Sequence, residues 1–211
     1  MKRILCFGDS LTWGHDPDAM GHRLENRWPV TLQNFLGPDY TVIEEGQCGR
    51  NIATDDPPEG EKNGLTYILP CLESHSPLDL VIIMLGTNDC KRKFSYSVQD
   101  IAMEMERFLQ KVLCHRQFSS PNAYSILLVS PPPMNSGLMA SWFGDLFEYE
   151  VGMKKSLALK QPYEQLARRF GIDFMDAGQH CQSSTVDGIH LDDENQQKLG
   201  RAVAERVRAL L

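Results

Sequence analysis

The chain has no long uninterrupted apolar run, no excess of positive charge and no closely spaced cysteine pair. The first absence excludes a transmembrane helix, which needs about 20 apolar residues in a row. The second, a net charge of -7, argues against broad binding to nucleic acid or an anionic membrane, both of which select a basic face. The six cysteines (Cys6, Cys48, Cys71, Cys90, Cys114 and Cys181) are scattered, with no CxxC pair. A basic Met1-Lys2-Arg3 start is followed by only four apolar residues before Gly8-Asp9-Ser10, too short for a secretory signal. Free thiols and a cytoplasmic location are therefore expected. Also missing are GxGxxG, the P-loop pattern, HxH, HExxH and EF-hand spacing. The sequence thus assigns no metal and no cofactor, although Asp9, Asp187, His190, Asp192 and Asp193 are hard-ligand types.

What is present is an ordinary globular composition, 42% hydrophobic and 23% charged over 211 residues, long enough for a substantial core in a single domain, 1–211. Short apolar runs at Ile4–Phe7, Tyr40–Glu44, Leu80–Leu85, Ser125–Ser130 and Ile172–Met175 read as strands. Amphipathic stretches at Trp28–Leu36, Leu65–Glu73, Val98–Leu113, Met153–Phe170 and Glu194–Leu211 read as helices. This alternation predicts an α/β fold with a five-stranded parallel sheet between helix layers. Asp55–Asn63 and Pro131–Gly144 read as loops, the first of them solvated.

In an open parallel sheet, ligands bind beyond the carboxyl ends of the strands. Gly8-Asp9-Ser10 follows the first strand there, Cys48-Gly49-Arg50 the second and Gly86-Thr87-Asn88-Asp89 the third. Asp187-Gly188-Ile189-His190 comes after the fifth. Ser10 needs a base to act as a nucleophile. His190 supplies one, and Asp187, three residues earlier, can orient its ring. Asn88, the N–H of Gly49 and the N–H of Ser10 are candidate donors for an oxyanion hole. Each segment alone has a bland reading: a turn at Gly8–Ser10, a helix cap at Asn88-Asp89, a capping turn at Asp187–His190. Their complementary roles at successive strand ends argue for the catalytic reading.

Those four segments resemble the conserved blocks of the SGNH, or GDSL, hydrolases, in the same order and over almost the whole chain. The resemblance implies a flavodoxin-like three-layer sandwich, Ser10 as nucleophile, Asp187 and His190 completing the triad, and Gly49 and Asn88 in the oxyanion hole. Arg3–Trp13, Val42–Gly46, Leu78–Asp89 and Val129–Pro133 further resemble the mycobacterial aryl esterase/acyltransferase (perhydrolase) branch. That implies short acyl groups, alcohol or peroxide accepted in place of water, and a homo-oligomer. The chain departs from this branch at Asp16–Arg27 and between Pro133 and Lys155.

Asp9, Leu11, Trp13, Cys48 and Trp142 are candidate pocket residues. Trp142, Phe143 and Phe147 suggest a lid or a subunit interface, with the balance towards an interface. Arg50 is expected in an ion pair, and His15, His22, His75, His115 and His180 are expected at the surface. The expected partners are a small acyl ester and a water or alcohol acceptor, with no nucleic acid and no membrane. Competing functions are an acetyl-carbohydrate deacetylase and a non-catalytic nucleotide- or flavin-binding module.

Overall fold

A computed structural model describes residues 1–118 and 123–211. Five strands, β1 (Lys2–Gly8), β2 (Tyr40–Gly46), β3 (Leu80–Met84), β4 (Ser125–Ser130) and β5 (Asp173–Asp176), form one sheet in the order β2-β1-β3-β4-β5. All adjacent pairs are parallel. Each predicted run is a strand, with no end displaced by more than two residues. β3 is buried at every position, which is why its sequence shows no polar alternation.

Alternation of side chains sorts the core into two layers. Leu5, Phe7, Val81, Ile83, Ile126 and Leu128 face α3 (Gly64–His75), α4 (Val98–Phe118), α5 (Phe143–Phe147) and α7 (Lys160–Phe170). Ile4, Cys6, Ile82, Met84, Leu127 and Val129 face α1 (Ser10–Trp13), α2 (Trp28–Leu36) and α8 (Asp193–Leu210). Burying each such aliphatic side chain is worth roughly 1.5–3 kcal/mol, and every helix except α1, α5 and α6 (Glu150–Ala158) is at least nine residues long with one apolar stripe.

The helix expected over Met153–Phe170 is two helices, α6 and α7, broken at Leu159. Pro162 has no N–H to return to Ala158, so the ladder stops there and restarts with Pro162 in the first turn of α7. The expected loop at Pro131–Gly144 contains a 3-10 turn, Ser136–Met139, and runs into α5. No helix among the described residues is long and apolar enough to cross a membrane.

In this strand order the chain runs outward to β2 from β1, then back past it to β3. Connections therefore diverge between β1 and β3, opening a crevice at their carboxyl ends. Ser10 follows β1 and Asn88 follows β3, so both stand at its mouth.

Candidate active site

β1 ends in Gly8, where a Cβ would lie 2.0 Å from Thr12 Oγ1 and 2.8 Å from Met84 O. Only glycine lets the chain turn so tightly from strand into helix. Asp9 then caps α1, its Oδ1 accepting the Leu11 N–H at 2.9 Å. Ser10 is thereby held at the first position of α1.

The loop after β5 brings the other groups to it. His190 Nε2 lies 2.9 Å from Ser10 Oγ, and His190 Nδ1 lies 2.6 Å from Asp187 Oδ2. Asp187 Oδ1 accepts the N–H groups of Ile189 (2.8 Å) and His190 (2.9 Å), so the carboxylate is fixed on both sides. Burial would raise the Asp187 carboxyl, but the hydrogen bond and charge of His190, with the two N–H donors, outweigh it and hold the group below the usual carboxylate value. With Nδ1–H given to Asp187, Nε2 is free to accept the serine proton.

Gly188 turns this loop at φ +77°, and a Cβ there would lie 2.1 Å from Leu138 N. Gly137 is equally constrained, 2.4 Å from Thr185 O by the same measure. Asn135 N–H donates to Gly188 O at 3.0 Å, and Asn135 Nδ2 donates to Ser183 O. The Ser136–Met139 turn and the histidine loop are thus stitched together.

Three hydrogen-bond donors belong to residues that line the cavity at Ser10. Asn88 Nδ2 donates to Arg50 O at 3.1 Å and approaches Asp9 Oδ2 at 3.5 Å. Gly49 sits at φ +82°. The N–H groups of Ser10 and Gly49 have no acceptor among the described residues. Ser10, Gly49, Asn88 and His190 line one cavity of about 520 Å³. One wall is apolar, built by Trp142, Phe143, Leu146, Phe147 and Ile189. Glu59, Lys62 and Lys91 add polar groups to its lining.

Cys48 and Trp142 line this cavity, whereas Asp9, Leu11 and Trp13 do not. Asp9 is completely buried; burial pushes its carboxyl up to about 6 despite the Leu11 N–H and the charges of His190 and Arg50. Leu11 packs into the core beneath the sheet, where the inward face of α1 must point. Trp13, at the end of α1, turns to the rim and lies under the Arg23 guanidinium, 5.5 Å from the ring centre. Burial and the neighbouring Asp9 push the Cys48 thiol up to about 11, so it is no nucleophile at neutral pH.

Several residues depart from their expected roles. Arg50 makes no carboxylate ion pair among the described residues: it is buried, stacks on Phe7 at 4.2 Å, and donates to Gly8 O at 2.9 Å and to Glu45 O. It ties the ends of β1 and β2 together. The acidic stretch at 55–59 is not simply solvated. Asp56 is buried and pairs with Lys93 at 2.5 Å, while Glu59 meets Lys91 at 2.7 Å. Burial alone would raise Glu59, but Lys91 and Lys93 hold its carboxyl below the usual value. Phe147 is buried in a helix, and Trp142 stacks on Phe143 at 4.0 Å.

His15 was the residue sequence reasoning missed. Its ring lies 4.2 Å from that of His190, and burial followed by the His190 charge lowers its pKa. The one signal was its place just after Gly14, the left-handed cap of α1, which returns the chain so that His15 N–H reaches Ser10 O at 3.0 Å. His75 and His115 are also engaged, with Glu45 (2.7 Å) and Tyr124 (3.1 Å), whereas His22 and His180 are exposed. Asp192 is the N-cap of α8, accepting from Asn195 N–H at 2.8 Å.

Comparison with known proteins places this geometry in context. The family model described as the GDSL-like lipase/acylhydrolase family matches residues 6–198. The native aryl esterase of M. smegmatis is 43% identical, with a TM-score of 0.92 and 100% of both chains covered. Est24, a carbohydrate acetylesterase from Sinorhizobium meliloti, is 40% identical, with a TM-score of 0.92 and 100% of both chains covered. An arylesterase of Vibrio mimicus is 34% identical over 96 residues, 44% of this chain and 40% of that protein. The chain spans about two-fifths of the length of the curated relatives it matches.

Proposed function

The chain belongs to the GDSL-like lipase/acylhydrolase family, and on that footing we propose that it is a serine esterase that hydrolyses short-chain aryl and alkyl esters through an acyl-enzyme. The aryl esterase and acetylesterase relatives support a carboxylic ester hydrolase. The observation that carries the mechanism is the chain of contacts from Ser10 Oγ to His190 to Asp187, at 2.9 and 2.6 Å.

In this reading Ser10 Oγ attacks the ester carbonyl carbon as its proton passes to His190 Nε2, and Asp187 stabilises the imidazolium. The carbonyl oxygen, now negative, takes hydrogen bonds from the N–H groups of Ser10 and Gly49 and from Asn88 Nδ2. Collapse expels the alcohol, which receives the proton from His190. Water then attacks the acyl-enzyme, giving its proton to the same nitrogen; collapse breaks the bond from Ser10 Oγ to the acyl carbon, Oγ takes the proton back from His190, and the acid leaves. An alcohol or a peroxide taking the place of water would give a new ester or a peracid; the apolar side chains of Trp142 and Phe143 in the cavity lining support such acceptors.

A second reading, acetyl-carbohydrate deacetylation, is favoured by the polar groups of Glu59, Lys62 and Lys91 and by the similarity to Est24. Rates on acetate to dodecanoate nitrophenyl esters, beside acetylated xylan and acetylated sialic acid, separate the two. Preference for the acetylated sugars would replace the first reading by the second. For the chemistry itself, Ser10→Ala should abolish turnover of nitrophenyl acetate and labelling by a fluorophosphonate while thermal melting stays native. Activity near that of the parent in that variant would refute the proposal.

A further inference from the structure

Among the described residues, one group of three nitrogen, sulfur and oxygen ligand types is close enough to share an ion: Glu45, Cys71 and His75, whose ligand atoms all lie within 4.8 Å of one another. None of the three lines the cavity that holds Ser10. Cys71 and His75 stand four residues apart on α3, so they project from one face of the helix, one turn above the other. Glu45 lies near the carboxyl end of β2, the edge strand beside that helix. Its Oε1 is 2.7 Å from His75 Nε2.

The surroundings hold these groups in place. Tyr67, one turn before Cys71, donates its hydroxyl to the other oxygen of Glu45, Oε2, at 3.2 Å. Arg50 donates to the Glu45 backbone carbonyl, and Arg3 donates to the His75 carbonyl at 3.1 Å. Outer hydrogen bonds of this kind orient ligands for a metal. Cys71 is buried, while the side chains of Glu45 and His75 retain 19% and 28% of their exposure. That leaves a path for an ion and room for a solvent ligand.

We propose that Glu45, Cys71 and His75 form a binding site for a divalent cation of the zinc class, with water as the fourth ligand. The chemistry of the set selects the ion. Magnesium and calcium take oxygen ligands, whereas a mixed sulfur, imidazole and carboxylate set suits zinc or cobalt(II) in a tetrahedral field. Bond lengths of about 2.0–2.3 Å place tetrahedral ligands roughly 3.3–3.8 Å apart. The ligand atoms already lie within 4.8 Å of one another, so small side-chain rotations close the site. Binding exchanges the Glu45–His75 hydrogen bond for two metal bonds and releases the Cys71 thiol proton to solvent. The ion then joins the edge strand to the last turns of α3, a role independent of the esterase reading.

Cobalt(II) reports on the site directly, because a thiolate ligand gives a charge-transfer band in the near ultraviolet. Titration of the full chain with cobalt(II) alone should raise that band to saturation at one equivalent, and zinc(II) should bleach it by displacement. Cys71→Ser should abolish the band. His75→Gln, at a partly exposed position where folding is not at issue, should weaken binding at least tenfold. Cys48→Ala and Cys114→Ser should leave it unchanged, as should Ser10→Ala. Absence of the band with cobalt(II) in excess, or its survival in Cys71→Ser, would overturn the proposal. So would parent-like affinity in His75→Gln.

Discussion

Replacing Asn88 by alanine removes two interactions that can be measured separately. In the proposed reaction Nδ2 is one of three donors to the oxyanion, and loss of one preorganised donor typically costs 10²–10³ in kcat, about 2.7–4 kcal/mol of barrier. The same nitrogen satisfies the carbonyl of Arg50 at 3.1 Å, within a residue only 3% exposed. Stranding that acceptor costs about 1–3 kcal/mol of stability. Because acylation and deacylation both pass through an oxyanion, kcat falls whichever step limits the rate. KM for nitrophenyl acetate should move by less than about threefold, since the donor acts mainly in the transition state. Asn88→Asp is the sharper companion: it keeps the shape, but sets a carboxylate against Asp9 Oδ2, now 3.5 Å from Nδ2, and against the developing charge. Steady-state kinetics with urea melts on both variants tests this. A kcat within tenfold of the parent in Asn88→Ala would refute the assignment of Asn88 to the oxyanion hole.

Three further outcomes follow from the same geometry. Asp187→Asn should lower kcat on the order of 10⁴-fold by favouring the wrong imidazole tautomer. Because the Asp187 carboxyl is held below its ordinary value, it contributes stability above the unfolded pKa, lost as pH falls through the folded one. The variant's melting temperature should therefore change less than the parent's below about pH 4, and an unchanged acid limb would contradict this. Asp89 has the opposite sign: burial first, and then Glu104, push its carboxyl well above 3.8, so stability is fullest below that value and declines as pH rises through the raised one. Glu104→Gln should flatten the decline while keeping an acceptor for the Thr54 hydroxyl, now at 2.5 Å; melting curves across pH would show an undiminished slope if this were wrong. Trp142→Ala should raise KM for aryl esters roughly 2- to 12-fold, the equivalent of about 0.5–1.5 kcal/mol of aromatic stacking, and leave small alkyl esters little affected. Equal effects on both ester classes would place the indole outside the substrate's path.

The sheet was legible because each strand coincides with a short apolar run that has turn chemistry after it, and the candidate functional blocks lie in those turns. Ser10, Gly49, Asn88 and Asp187–His190 needed only the rule that parallel strands present their carboxyl ends to one rim. What was not legible depends on partners distant in the chain. Glu59 looks like part of a solvated acidic loop until Lys91, 32 positions away, is folded against it. Glu104 reads as the polar side of an amphipathic helix, yet it meets Thr54 and Tyr96 in a half-buried cluster. Cys71 and His75 share a helical face by spacing alone, but nothing local to α3 announces Glu45. The split between α6 and α7 was a local signal overlooked: Pro162 was there to be read.

The interlock of Gly137 with Gly188 has a mechanical consequence. Hinge motion that swung Trp142 and Phe143 away to admit a bulky substrate would pull on the peptide carrying the imidazole, because the two backbones approach too closely for even one methyl group between them. The Ser136–Met139 turn and the loop that carries His190 therefore move together. A Cβ at either position would force these backbones apart, so Gly137→Ala or Gly188→Ala breaks the coupling. In the proposed esterase, the shape of that side of the cleft and the placement of the imidazole therefore cannot be tuned separately.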